Sequence, residues 1–183
     1  MISAARTLLL TALLSASLEA AAIPRPAPEF VFQIPGGQFL LSQTKGKVAV
    51  VMFLFTTCPH CQASVGPMNT LVKEYGPQGF KVFGAAFNDG AQELVAGFNA
   101  RFQPAFPVGF ASRANVIDFL QAKSNEPLSV PIFVFIDRKG MIRAQKVGEE
   151  IFKEQEKGTR ALIESLLKEP VTGAKAGAKK AGH

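Results

Sequence analysis

The two cysteines of the chain stand three positions apart, in the stretch FTTCPHCQ that runs from Phe55 to Gln62. Cys58 and Cys61 enclose only Pro59 and His60. Such a C-x-x-C pair can be a structural disulfide, half of a metal site or a redox centre. A disulfide that closes so short a loop stabilises a fold by only about 2 kcal/mol, before any strain is subtracted. A disulfide that serves only stability is expected to close a longer loop, so this spacing argues against a purely structural role.

A metal site is also poorly supported by the sequence. Tetrahedral zinc needs four ligands, and the chain has no second cysteine pair to complete the set. Of the two histidines, His60 lies between the cysteines and His183 is the last residue. We therefore predict no metal and no cofactor.

Redox exchange fits the position of the pair. Cys58 comes directly before a predicted helix, where unpaired backbone N–H groups and the helix dipole favour a thiolate. Cys58 is therefore the candidate nucleophile, and Cys61, one turn later and less exposed, is expected to resolve the mixed disulfide. His60 is predicted to stabilise the Cys58 thiolate by hydrogen bonding or positive charge, which makes the disulfide a stronger oxidant. The alternative for His60 is a solvent-facing side chain without effect.

The elements around the pair indicate an α/β domain. The run KVAVVMFLFT, which starts at Lys47, shows no polar alternation and predicts a central strand covered on both faces. Helical spacing of apolar residues follows from about Pro59 to Tyr75, so the cysteines lie at a strand-to-helix junction. Further strands are predicted in FKVFGAAF, FPVGFA, VPIFVFID and MIRAQKVG, and further helices in AQELVAGFNARF and around Leu162–Leu167. Two short apolar runs around Pro35-Gly36-Gly37 predict an N-terminal hairpin.

The two ends of the chain differ in composition from the domain. Residues 1–22 resemble an export signal, because Arg6 precedes the apolar stretch LLLTALL and small residues for cleavage follow. The domain, residues 23–170, is then periplasmic or secreted, where disulfides persist, or is anchored there by an uncleaved N-terminal segment. The lysine-rich tail, residues 171–183, is predicted to be disordered. Since the tail supplies part of the net charge of +6, this charge does not indicate nucleic acid as a partner.

A proline far from the cysteines opens the strand VPIFVFID. A trans proline is awkward inside a sheet, whereas a cis Val130–Pro131 bond turns the backbone and can leave an edge open for a substrate peptide. An ordinary strand-opening proline is the alternative, and base frequencies alone favour the trans form.

The order of these features resembles the thioredoxin fold. A strand comes first, the C-x-x-C pair follows at the start of a helix, and a proline opens a later strand. The leader APEFVFQIPGGQFLLSQTKGKVAVVMFLFTTCPHC resembles the exported TlpA/ResA-type thiol-disulfide oxidoreductases of bacteria, in the AhpC/TSA-redoxin neighbourhood. The resemblance runs from about Ala27 to Leu167. It implies a thioredoxin-like three-layer α/β/α domain with a mixed central sheet and an N-terminal β-hairpin extension.

The resemblance also implies roles for individual residues. Cys58 corresponds to the nucleophile and Cys61 to the resolving thiol, while Pro131 corresponds to the cis-proline and Val130 to its substrate-contacting neighbour. The implied partners are client-protein thiols or disulfides, together with a membrane or soluble redox partner that recharges the pair.

Several residues depart from the family pattern. Thr57 stands where a tryptophan usually precedes the first cysteine, and the chain has no tryptophan. Ser64 replaces an acid that TlpA-like proteins often carry, and Met52 occupies the position of the buried acid of thioredoxins. The dipeptide Pro59-His60 instead resembles the centre of DsbA-type oxidases. The direction of electron flow, oxidase or reductase, therefore stays open.

Two other functions are known for exported proteins with reactive cysteines, and the sequence supports neither well. A thiol peroxidase of the peroxiredoxin type needs Pro and Thr seven and three residues before its cysteine, where this chain has Val51 and Phe55. A copper-binding chaperone could hold Cu(I) between two thiolates. No methionine or histidine cluster supports this reading, and the related copper-delivery proteins use C-x-x-x-C spacing.

Overall fold

The computed structural model describes residues 22–34 and 36–170. The strands are β1 (Arg25–Pro26), β2 (Val31–Ile34), β3 (Gly37–Leu40), β4 (Val48–Leu54), β5 (Phe80–Ala86), β6 (Val108–Phe110), β7 (Ile132–Ile136) and β8 (Met141–Val147). The helices are α1 (Pro59–Ala63), α2 (Val65–Tyr75), α3 (Ala91–Phe102), α4 (Arg113–Leu120) and α5 (Glu156–Lys168). Short 3-10 helices span Leu41–Thr44, Gly76–Gln78 and Glu149–Phe152. The predicted signal peptide, except Ala22, and the predicted tail lie outside the described residues.

A mixed sheet forms the middle layer, with the strand order β1-β8-β7-β4-β5-β6-β2-β3. All seven residues of β4 are buried, and β4 pairs in parallel with β5 and antiparallel with β7. Side chains of β4 alternate between two apolar clusters, one shared with α2, α3 and α5 and the other with α4. The predicted three-layer architecture with a mixed sheet is therefore confirmed.

The predicted N-terminal hairpin corresponds to the antiparallel pair of β2 and β3. Gly36 in its turn has φ of 86°, a left-handed conformation that favours glycine. The hairpin joins the main sheet through one pairing of Gln33 with Phe110. A Cβ atom at Gly109 would stand 2.0 Å from the Gln33 carbonyl oxygen, so only glycine permits this approach.

The helix after the cysteines differs from the prediction of one continuous element. It ends at Ala63 and resumes at Val65, with Ser64 at the junction. Pro67 explains the break, because proline lacks the N–H that would bond the Ala63 carbonyl and its ring crowds that oxygen. Helix α4 was not predicted at all; Ser112 caps it by accepting a hydrogen bond from the Asn115 N–H at 3.2 Å.

Strand directions bring distant segments to one edge of the sheet. Because β7 is antiparallel to both β4 and β8, strands β4 and β8 run the same way, and β5 is parallel to them. The segments that follow β4, β5 and β8, and the one that precedes β7, therefore meet at this edge.

Among the described helices, none has both the length and the apolar character needed to cross a bilayer.

Candidate active site

Cys58 lies at the junction between β4 and α1. Its backbone is extended, with φ of −78° and ψ of 120°, and its N–H donates to the Phe55 carbonyl at 3.1 Å. The Cys58 side chain caps α1, because its Sγ accepts a hydrogen bond from the Cys61 N–H at 3.3 Å. The sulfur therefore lies at the first turn of α1, in contact with a backbone N–H. The structure thus places Cys58 as the sequence predicted, immediately before the helix.

Cys61 lies in a different environment. Both thiols are free, but Cys58 is half-buried whereas Cys61 is 0% exposed. Burial raises the pKa of the Cys61 thiol well above its usual range, and the neighbouring Cys58 acts in the same direction. The Cys61 thiol is therefore protonated at neutral pH.

This difference predicts selective alkylation. Iodoacetamide should modify Cys58 of the reduced native protein at pH 7, and Cys61 at least about a hundredfold more slowly, since each unit of raised pKa cuts the thiolate fraction tenfold. Mass spectrometry of proteolytic fragments over time measures both rates. After unfolding in guanidinium chloride, both cysteines should react at similar rates. Equal rates in the native protein would contradict the burial of Cys61.

Val130 and Pro131 reach the site from the start of β7. The Val130–Pro131 peptide bond is cis. The Val130 carbonyl oxygen lies 3.8 Å from Cys58 Sγ, and the Pro131 carbonyl accepts the Gly148 N–H at 2.9 Å. Residues 72 positions apart in the chain are thus brought together.

The three remaining predicted residues surround Cys58 on the surface. Thr57 and Pro59 are exposed, and the His60 side chain is 67% exposed. His60 Nδ1 lies 3.4 Å from Oε1 of Glu149, in the 3-10 helix that follows β8. The polar neighbour of the ring is therefore an acid that the sequence did not suggest.

Two further side chains brace the loop before Cys58, and sequence reasoning missed both. Oδ1 of Asn88 accepts hydrogen bonds from the Thr56 N–H at 2.8 Å and the Thr56 hydroxyl at 3.2 Å. Gln62 Nε2 donates to the Thr56 carbonyl at 2.9 Å. The position of Asn88 just after β5, the parallel neighbour of β4, could have indicated that it lies near the cysteines. That inference requires knowledge of the strand order.

Ser64 and Met52 occupy the positions at which the family resemblance leads one to expect acids. Ser64 is buried, and its hydroxyl donates to the His60 carbonyl at 2.7 Å; Met52 is fully buried in the core. Among the described residues, no group of three or more His, Cys, Asp or Glu side chains could hold a metal ion.

Comparisons with known proteins agree with this arrangement. Residues 24–163 match the family model described as Redoxin. The thiol-disulfide oxidoreductase ResA of Geobacillus kaustophilus (strain HTA426) is 32% identical over 126 residues, which cover 68% of each chain.

Solved structures extend the likeness to the fold. The crystal structure of a thiol:disulfide interchange protein of the thioredoxin family from Chlorobium tepidum TLS superposes with a TM-score of 0.66 at 25% identity, covering 81% of this chain and 99% of that one. The thioredoxin domain of a thiol-disulfide oxidoreductase from Bacteroides vulgatus gives 0.61 at 20% identity, covering 75% and 97%. The predicted thioredoxin-like fold is therefore confirmed. With the C-x-x-C pair at the start of α1, the chain belongs to the redoxin family and is a TlpA/ResA-like thiol-disulfide oxidoreductase.

Proposed function

We propose that the protein is exported and exchanges disulfides with client proteins through the centre Cys58-Pro59-His60-Cys61. The observation that carries this proposal is the unequal environment of the two thiols. Cys58 is accessible and its sulfur accepts a backbone hydrogen bond, whereas Cys61 is fully buried one turn later. A client sulfur can reach Cys58 but not Cys61, which fixes the order of attack.

The exchange proceeds in two steps that balance atoms and electrons. The Cys58 thiolate attacks one sulfur of a client disulfide, which forms a mixed disulfide and releases the other client sulfur as a thiolate. Cys61 then loses its proton and attacks Cys58 Sγ, which releases the second client thiol and leaves the Cys58–Cys61 disulfide. The client gains two electrons and two protons; one proton comes from Cys61, and the other comes from water, to which Cys58 lost its own proton when the thiolate formed. With neither Ser64 nor Met52 able to accept a proton, the departing client thiolate takes the proton from Cys61.

The reverse sequence oxidises a client dithiol, so the direction depends on the potential of the pair and on its recharging partner. We assign the recharging to a membrane or soluble redox partner. The resemblance of residues 1–22 to an export signal supports the proposal that both reactions occur outside the cytoplasm.

Client contacts are proposed for the surface around Cys58. Val130, whose carbonyl lies 3.8 Å from Cys58 Sγ, and Pro131 would border an extended client segment. Thr57 and Pro59, which are exposed beside Cys58, would modulate the potential of the pair. His60 would adjust the potential of the pair through its charge.

Trapping the intermediate tests this order of attack. The Cys61→Ser variant, mixed with a peptide that contains one disulfide, should accumulate a covalent adduct at Cys58, because no second thiol is present to release it. Mass spectrometry identifies the adduct and its site. The Cys58→Ser variant serves as the matched control and should form none. An adduct on Cys61 in that control at a comparable rate would overturn the proposed roles.

A further inference from the structure

We propose that Glu149 is a positioning residue of the redox centre and raises the reduction potential of the Cys58–Cys61 pair by acting through His60. Its Oε1 atom lies 3.4 Å from His60 Nδ1, and the Glu149 side chain is only 19% exposed. This inference rests on the proposed function, since it concerns the potential of the same pair.

Contacts before and after Glu149 in the chain hold its backbone in place. The Gly148 N–H donates to the Pro131 carbonyl at 2.9 Å, and Gly148 has φ of 87°, a left-handed conformation. In the 3-10 helix that follows, Ile151 is buried and the Phe152 ring meets the Phe133 ring edge-on at 5.4 Å. The backbone of Glu149 is therefore fixed relative to Pro131 and β7, and from this position its carboxylate reaches His60.

The charge of Glu149 can act on the pair by two routes of opposite sign. Through His60, the carboxylate holds the imidazole in the first turn of α1, where the positive charge of the ring, when protonated, would stabilise the reduced form of the pair. Acting directly on the Cys58 thiolate, the same negative charge would destabilise the reduced form. Lys153 Nζ contacts the same Glu149 oxygen. Its positive charge partly cancels that of the carboxylate for groups that lie further away, such as Cys58. Because the contact with His60 is direct, the route through His60 should dominate.

A double-mutant cycle on the reduction potential separates these routes. The full chain, Glu149→Gln, His60→Ala and the double variant are equilibrated with glutathione at pH 7. Glu149→Gln should lower the equilibrium constant for oxidising glutathione about threefold, equal to about 14 mV. In the His60→Ala background the same change should have no effect. Glu150→Gln is the matched control, because it removes the same charge from the next residue of the same 3-10 helix, and it should leave the potential unchanged.

Each outcome bears on a definite claim. A potential that rises with Glu149→Gln in both backgrounds would show direct repulsion and overturn the inference, as would equal potentials for Glu149→Gln and the unmodified chain. If Glu149 only stabilised the fold, Glu149→Gln would lower the midpoint of thermal unfolding, and its effect on the reduction potential would not depend on His60. The absence of any reversible couple in the unmodified chain would instead overturn the proposed function on which the inference rests.

Discussion

Replacing Cys58 by serine is expected to slow disulfide exchange by more than about a thousandfold. A serine hydroxyl does not ionise near neutral pH and cannot form the mixed disulfide. The fold should survive, because serine is a favoured N-cap residue and its Oγ can accept the Cys61 N–H that Cys58 Sγ accepts now. The rate of reduction of a disulfide-containing peptide by excess dithiol, with enzyme present, measures the effect.

Comparing serine variants at the two cysteines shows which step of disulfide exchange depends on each thiol. Cys61→Ser should still form the first covalent bond with the peptide, whereas Cys58→Ser should not. Thermal unfolding of both variants checks that neither loss comes from misfolding. A Cys58→Ser rate within tenfold of the unmodified protein, with an intact fold, would show that exchange does not depend on this thiol.

Replacing Phe133 by alanine is expected to lower the free energy of unfolding by about 3–5 kcal/mol. The Phe133 side chain is fully buried, in register with Met52 of β4 and edge-on to Phe152. Its removal leaves a cavity between β7 and the 3-10 helix that carries Glu149. The midpoint of thermal unfolding should fall by roughly 6–20 °C for a domain of this size. Denaturant unfolding of the reduced protein measures the free energy directly.

Val147→Ala provides the comparison for Phe133→Ala. Val147 belongs to the neighbouring strand β8 and is 53% exposed, so its truncation should change the free energy of unfolding by no more than about 0.5 kcal/mol. A loss below about 1 kcal/mol for Phe133→Ala would mean that β7 is not anchored by this ring.

Local patterns were sufficient to predict the elements that carry the cysteines. The unbroken apolar run of β4 predicted a strand covered on both faces, and every residue of that strand is buried. The turn between β7 and β8 is also held by local contacts, because Asp137 Oδ1 accepts the N–H groups of Lys139 and Met141 at 2.9 and 3.0 Å. These features depend on neighbours a few residues away, so the sequence contains them directly.

Contacts between distant segments were not accessible in the same way. Asn88 and Glu149 become neighbours of the C-x-x-C segment only through the order and direction of β4, β5, β7 and β8. Helical periodicity also concealed the break at Ser64, since apolar spacing continues across it while Pro67 removes a backbone donor. The sequence thus located the candidate nucleophile, but not the side chains that hold the neighbouring loop or carry charge near it.

The departures from the family pattern gain a structural context. The positions of the usual acids hold Ser64, bonded to the His60 carbonyl, and Met52, buried in the core. An acid instead contacts the exposed ring of His60, namely Glu149. Its proposed effect favours the reduced form of the pair and therefore an oxidising potential.

Redox titration of the full chain against glutathione is the most direct test of the central claim, that Cys58 and Cys61 form one reversible redox centre. We predict a single transition with the slope of a two-electron couple, and an oxidised product whose only new bond joins Cys58 to Cys61. Mass spectrometry of fragments under non-reducing conditions identifies that bond. A titration that yields no internal disulfide at any ratio, or only a stable glutathione adduct on one cysteine, would contradict the account.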